Sequence, residues 1–178
     1  MGTHEEELMA RQAIFVHGNI VLPQFSGGAG AIPSPHTGGS QMDNVNGRPW
    51  SDVLGARDPG GVTFRGRPNN RNTFFAPIAI PIWRDGRHAQ VARVAVGYSA
   101  DAGATITLIQ AHDGHRLAWQ SEAVGLSGPQ CDTWDLRTTF FDINPLRTLT
   151  KGLGLSFHVS FTADANITFC WVGCELEV

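Results

Sequence analysis

Lysine is almost missing from this chain of 178 residues: Lys151 stands alone beside twelve arginines. Charge of any kind is scarce. Asp, Glu, Lys and Arg make up 16% of the residues, against roughly 25% in an ordinary soluble domain. The net charge of −3 excludes a nucleic-acid binder driven by bulk positive potential. Long apolar runs are also missing. No stretch approaches the roughly 18 consecutive apolar residues of a membrane span, so none is expected. The opening Met-Gly-Thr-His-Glu-Glu-Glu has no basic region followed by an apolar run. No secretory signal is visible, and a cytoplasmic place is expected. Glu6 also stands where a myristoylation signal requires Ser or Thr. Cysteine occurs only as Cys131, Cys170 and Cys174, an odd count that favours free thiols in a reducing compartment. On one strand, Cys170 and Cys174 would lie about 13 Å apart, beyond the roughly 7 Å that a disulfide spans. Cys131 could still meet either across neighbouring strands.

Glycine and proline, by contrast, are plentiful at 21 and 10 residues. With so many breakers, a coiled coil or long helical bundle is excluded. The ten phenylalanines and five tryptophans exclude wholesale disorder. The length fits one domain with a core of its own. Residues 1–12 read as an arm or short helix, with Thr3 and Glu6 at capping-box spacing. Residues 13–178 read as one domain, with an irregular Gly/Pro-rich loop over residues 23–60. Gly18 interrupts the first strand and suggests a bulge or the close approach of another backbone.

From Gly61 onward, short β-rich runs arrive every 10 to 15 residues. They are Val62–Arg65, Thr73–Trp83, His88–Tyr98, Ala104–Ala111, Arg116–Ser121, Cys131–Thr138, Leu153–Thr162 and Asn166–Val178. Asp85-Gly86 and Asp113-Gly114 are hairpin signals. Leu153, Leu155, Phe157, Val159 and Phe161 alternate with Gly, Ser and His, so one face is core and the other is not. No helical crossover separates the runs. The fold class is therefore all-β: an antiparallel β-sandwich, jelly-roll-like, of about eight or nine strands.

Several motifs come in a series: Phe15-Val16-His17-Gly18-Asn19, then Phe74-Phe75-Ala76-Pro77-Ile78-Ala79-Ile80-Pro81, then Leu153-Gly154-Leu155-Ser156. In this order they resemble an uncharacterised family of small bacterial proteins that begin with an aromatic-Val-His-Gly-Asn motif. The resemblance covers most of residues 13–178 outside the Gly/Pro-rich loop. It implies a single-domain β-sandwich and brings no activity, substrate or catalytic residue with it.

The residues themselves offer scattered chemistry. His112-Asp113-Gly114-His115 places two imidazoles and a carboxylate within four residues, which suits ligand contact. The same Asp-Gly also makes a hairpin turn and would leave both histidines as its solvated flanks. No metal and no cofactor is assigned. Trp50 and Trp83 lie in or beside loops, with Arg84 adjacent, and are candidate platforms for a glycan or a protein partner. His17, His158 and Trp134 are candidate catalytic residues if a pocket joins them inside the sandwich. Gly27-Gly28-Ala29-Gly30 lacks the ending of a phosphate loop, and Gly125-Leu126-Ser127-Gly128 lacks the pattern of a nucleophile elbow. The reading is a non-catalytic binding or self-assembly module for a glycan, small molecule or protein partner, with a homo-oligomer among the forms. The alternative is a cyclase- or isomerase-type enzyme with an acid–base histidine in an interior pocket.

Overall fold

Alternating apolar residues need a second sheet to cover them, and the molecule supplies one. The computed structural model describes residues 11–23, 56–84, 86–132 and 138–177. The expected platform Trp50, the candidate Trp134, and most of the Gly/Pro-rich loop lie outside the described residues. In chain order the strands are β1 (Arg11–His17), β2 (Leu22–Pro23), β3 (Ala56–Asp58), β4 (Gly61–Gly66), β5 (Asn70–Ile78), β6 (Trp83–Arg84) and β7 (Arg87–His88). They continue as β8 (Gln90–Ala100), β9 (Ala104–Asp113), β10 (Arg116–Leu126), β11 (Gly128–Pro129), β12 (Phe140–Thr148), β13 (Leu153–Phe161) and β14 (Ala165–Glu177). Nine of them run six residues or more, and all pairings are antiparallel. No helix among the described residues is long and apolar enough to cross a membrane.

A seven-stranded sheet follows the order β11-β8-β14-β4-β3, with β1 also on β14 and β12 also on β8; a five-stranded sheet runs β10-β9-β13-β5-β2. Their inner faces meet in a phenylalanine-rich core. Phe64 of β4 and Phe169 of β14 lie 4.7 and 5.2 Å from Phe74 of β5, and Phe157 of β13 lies 5.4 Å from Phe169. All four are buried, each such ring contributing about 1.5–3 kcal/mol of transfer free energy. The alternation expected of β13 holds: Leu153, Leu155, Phe157, Val159 and Phe161 all face this core.

Three local expectations are corrected. Arg11 and Gln12, read as the end of a helix, open β1 opposite Glu177 and Leu176. Cys131 and Asp132, read as strand, belong to no strand. Phe140–Thr148 went unread as a strand because Pro145 and a register shift between Asp142 and Arg147 interrupt its pattern. Gly18 behaves as expected. It opens a short 3-10 turn that carries the chain from β1 in one sheet to β2 in the other. A Cβ there would sit against the Phe169 carbonyl.

That contact marks a junction. The first part of β14 pairs with β4 up to Phe169, and the rest pairs with β1 from Trp171 onward. Cys170, between them, is the bulge residue in the pairing with β8. It forms a disulfide with Cys131, with Cα atoms 5.5 Å apart. This corrects the expectation of three free thiols; the odd cysteine out is Cys174, buried in β14. Burial, reinforced by neighbouring Glu175, pushes its thiol up to about 12.

Candidate functional site

Residues directly opposite in an antiparallel ladder share a face, so the register spells out what the outer face of the five-stranded sheet presents. One row reads Gln120, Gln110, Ser156, Phe75, Leu22. The next reads Leu117, His112, Gly154, Pro77. A third holds Leu108, His158 and Thr73. At the centre of the face none of these is a carboxylate, lysine or arginine; among the described residues, charge enters only at its far end, where Glu122 pairs with Leu108 and Arg71 with Ser160.

Where Gly154 supplies no side chain, the face is dented. The depression, about 350 Å³, is lined by Phe75, Ala76, Pro77, His112, Gly114, His115, Gly154 and Leu155. A Cβ on Gly154 would meet nothing nearer than the His112 Cβ, at 4.0 Å. Phe75 forms part of the wall and stays 39% exposed. Mostly apolar walls with two polar rings are the usual make-up of a small-ligand site.

A hydrogen-bond chain supports the rim from below. Ser156 Oγ donates to Gln110 Oε1 at 3.1 Å, so its lone pair accepts from His112 Nε2–H at 3.3 Å. Gln110 Oε1 also accepts from His158 Nε2–H at 3.1 Å, and Thr73 Oγ1 donates to His158 Nδ1 at 3.5 Å. Gln110 Nε2 donates in turn to Gln120 Oε1 at 3.3 Å. With both imidazoles neutral, every member has one consistent role. Burial lowers the pKa of His112. Burial, and then the proximity of His112, lowers that of His158. With Nε2 committed to Ser156, His112 keeps an acceptor lone pair on Nδ1.

The His112-Asp113-Gly114-His115 cluster divides in two. His112 and His115 line the depression. Asp113, expected as a ligand contact, is buried and serves the fold. Its carboxylate accepts from the backbone N–H groups of Thr150, Lys151 and Gly152 at 2.6–3.2 Å, and from Thr150 Oγ1 at 2.6 Å. Burial alone would raise its pKa, yet these bonds together hold it below the ordinary value. Gly114 makes the turn with φ 61°, as the Asp-Gly signal implied. No group of three or more His, Cys, Asp or Glu able to hold a metal occurs among the described residues.

The other candidates lie apart. His17 ends β1 in the seven-stranded sheet, whereas His158 lies on β13 in the five-stranded one. Among the described residues, the space between the two sheets holds the phenylalanine-rich core. His17 is exposed, donating from Nε2 to the Pro59 carbonyl at 2.8 Å and accepting at Nδ1 from the Asn19 N–H at 3.2 Å. It borders an open groove of about 780 Å³ on the far side, which Phe15, Trp171, Thr63, Thr168, Cys131 and Cys170 also line. Trp83 is 58% exposed, as a platform must be, on the hairpin of β6 and β7. Its ring meets His88 edge-on at 4.6 Å, and Arg84 shares its strand.

Phe75, Gln110, Gly154 and Ser156 were not singled out as site residues. A signal for them existed: Gln110 and His112, like Gly154, Ser156 and His158, are spaced by two and so share a strand face. Only the register sets those two strands side by side. The fold is thus an antiparallel all-β sandwich with a dent in one outer face. The chain matches no family model, and no curated protein matches it.

Proposed function

We propose that the chain is a non-catalytic binding module whose ligand occupies the depression over Gly154. The observation that carries this reading is a neutral, mostly apolar dent rimmed by two imidazoles and Phe75. An uncharged ligand with hydroxyl groups fits best. The CH face of a sugar ring would lie on Phe75 and Pro77, and its hydroxyls would reach His112 and His115. Ser156 beside His112 does not speak for a serine nucleophile, because Ser156 is fully buried and its proton is already given to Gln110. The resemblance to an uncharacterised β-sandwich family adds no activity, so the reading rests on this face alone.

Gly154→Val is the decisive variant. A β-branched side chain suits a strand and would fill the dent. Screening both proteins on a glycan array, followed by NMR titration of any hit, should show binding that shifts His112 and Phe75 signals and disappears in the variant. Binding that survives Gly154→Val sinks the proposal.

Self-association through the same face is the second reading. It is favoured by Leu22 and Leu117, which are 50% and 51% exposed on either side of the depression. Light scattering separates the two: a concentration-dependent dimer abolished by Phe75→Ser supports the homo-oligomer, and a monomer at all concentrations removes it. A cytoplasmic place is compatible with the Cys131–Cys170 bond only if cytosolic thiols can turn that bond over.

A further inference from the structure

On the opposite face, we propose that Cys131–Cys170 is a thiol-exchange site, a bond that a dithiol reductant opens in the folded protein, with Cys131 as the half that moves. Access comes first. Both cysteines are partly exposed and line the open groove beside His17 and Asp132, so a thiolate can approach without passing through the core. Independence from the ladders comes second. Cys170 is the residue at which β14 changes partner from β4 to β1, and it is paired in none of the three ladders there. Cys131 lies outside every strand. Apart from the bond itself, its carbonyl is gripped by the Trp171 indole N–H at 2.7 Å. Opening the bond therefore leaves every strand pairing in place and frees one wall of the groove.

The reaction balances with a dithiol. One thiolate bonds to Cys131 Sγ; the Cys131–Cys170 bond breaks, and its electron pair leaves on Cys170 Sγ, which takes a proton from water. The reductant's second thiolate then attacks its own sulfur in the mixed disulfide, releasing Cys131 as a thiol and leaving the reductant as a cyclic disulfide. Two electrons pass to the protein. Cys174 cannot replace the second thiol, because it is fully buried in β14. The exposed Asp132, which follows Cys131 in the chain and lines the same groove, opposes an anionic monothiol such as glutathione.

The test uses the full chain, purified in air and without denaturant. It is treated with dithiothreitol at neutral pH, alkylated, and mapped by mass spectrometry, with far-UV circular dichroism in parallel. The expected result is two new alkylation sites, at Cys131 and Cys170, none at Cys174, and an unchanged spectrum. The Trp171 indole N–H should exchange with solvent roughly tenfold faster once its acceptor is released. Asp132→Asn should speed the reaction with glutathione several-fold and leave that with dithiothreitol nearly unchanged. Four results would overturn the proposal: thiols already free at the start, opening only in denaturant, loss of the β spectrum together with the bond, or equal glutathione rates for Asp132→Asn.

Discussion

On the outer face of the seven-stranded sheet, Arg93 bonds Asp142 at 2.8 Å and Glu175 at 3.0 Å, with its guanidinium 6.0 Å from the centre of the Phe140 ring. Arg11 reaches Glu177 at 3.2 Å beside it. Beyond these charges, Trp171 covers Gly97 and Phe15 covers Gly173, with the two rings 5.5 Å apart. On the outer face of the five-stranded sheet the central side chains are Gln110, Ser156 and His158, and among the described residues a Cβ on the glycine there, Gly154, would meet only the His112 Cβ, at 4.0 Å. Both faces use the same pleat. One closes its glycine gaps with aromatics and meets water with charges; the other leaves its gap open and carries neutral groups at its centre, with Glu122 and Arg71 only at its far end. An aromatic laid over a strand glycine is a stabilising device, so its absence over Gly154 marks the place where stability has not been the first demand.

The glycines give the sharpest way to break this contrast. Gly97→Val should cost about 3 kcal/mol in urea unfolding, because its Cβ would collide with the Trp171 indole. Gly154→Val should change stability by less than about 0.5 kcal/mol, or raise it, since strand glycine is itself unfavourable. Equal losses at the two sites would erase the distinction. Next in size is the charged network: Arg93→Met should cost about 2 kcal/mol at low salt, the scale of charge-assisted hydrogen bonds, and less at high salt.

The neutral face should reveal itself through pH. His112 and His158 have folded pKa values lowered from 6.5, so the unfolded chain takes up their protons first. Their contribution to stability is complete above about pH 6.5 and is lost as pH falls below it, by up to about 1.4 kcal/mol per pH unit for each histidine. The loss ends once the pH is below the folded values. Denaturant melts between pH 7 and 5 should lose this component in a His112→Gln, His158→Gln double variant. The smallest effect belongs to the exposed apolar residues: Leu117→Ser should alter stability by no more than about 0.5 kcal/mol, as measured by the thermal midpoint.

Much of this contrast was legible beforehand, and its limits are physical. Alternation in Leu153–Phe161 marked both faces of β13, and the Asp113-Gly114 pair marked the end of the β9–β10 hairpin. The scarcity of charge, 16% of the chain, accords with the neutral centre of the five-stranded sheet's outer face. What alternation within a strand does not carry is which strands are neighbours. β13 lies between β9 and β5, and only that order sets His112 beside Gly154 and Gly154 beside Pro77. The same holds for the disulfide, whose partners are 39 residues apart and meet at a bulge that no local pattern announces. The role of Asp113 in the fold was hidden for a related reason: the N–H groups of Thr150, Lys151 and Gly152 that converge on it come from a turn 37 to 39 residues further on.

Those converging bonds bear on how fast a ligand could come and go. Asp113 ties the turn before β13 to the end of the β9–β10 hairpin, and the Gly114 N–H adds a bond to the Gly152 carbonyl at 3.1 Å. The rim of the depression is therefore already ordered before anything arrives. A preformed rim loses little conformational entropy on binding, so its association rate should vary little among related ligands. Differences in affinity should appear chiefly in how long each one stays.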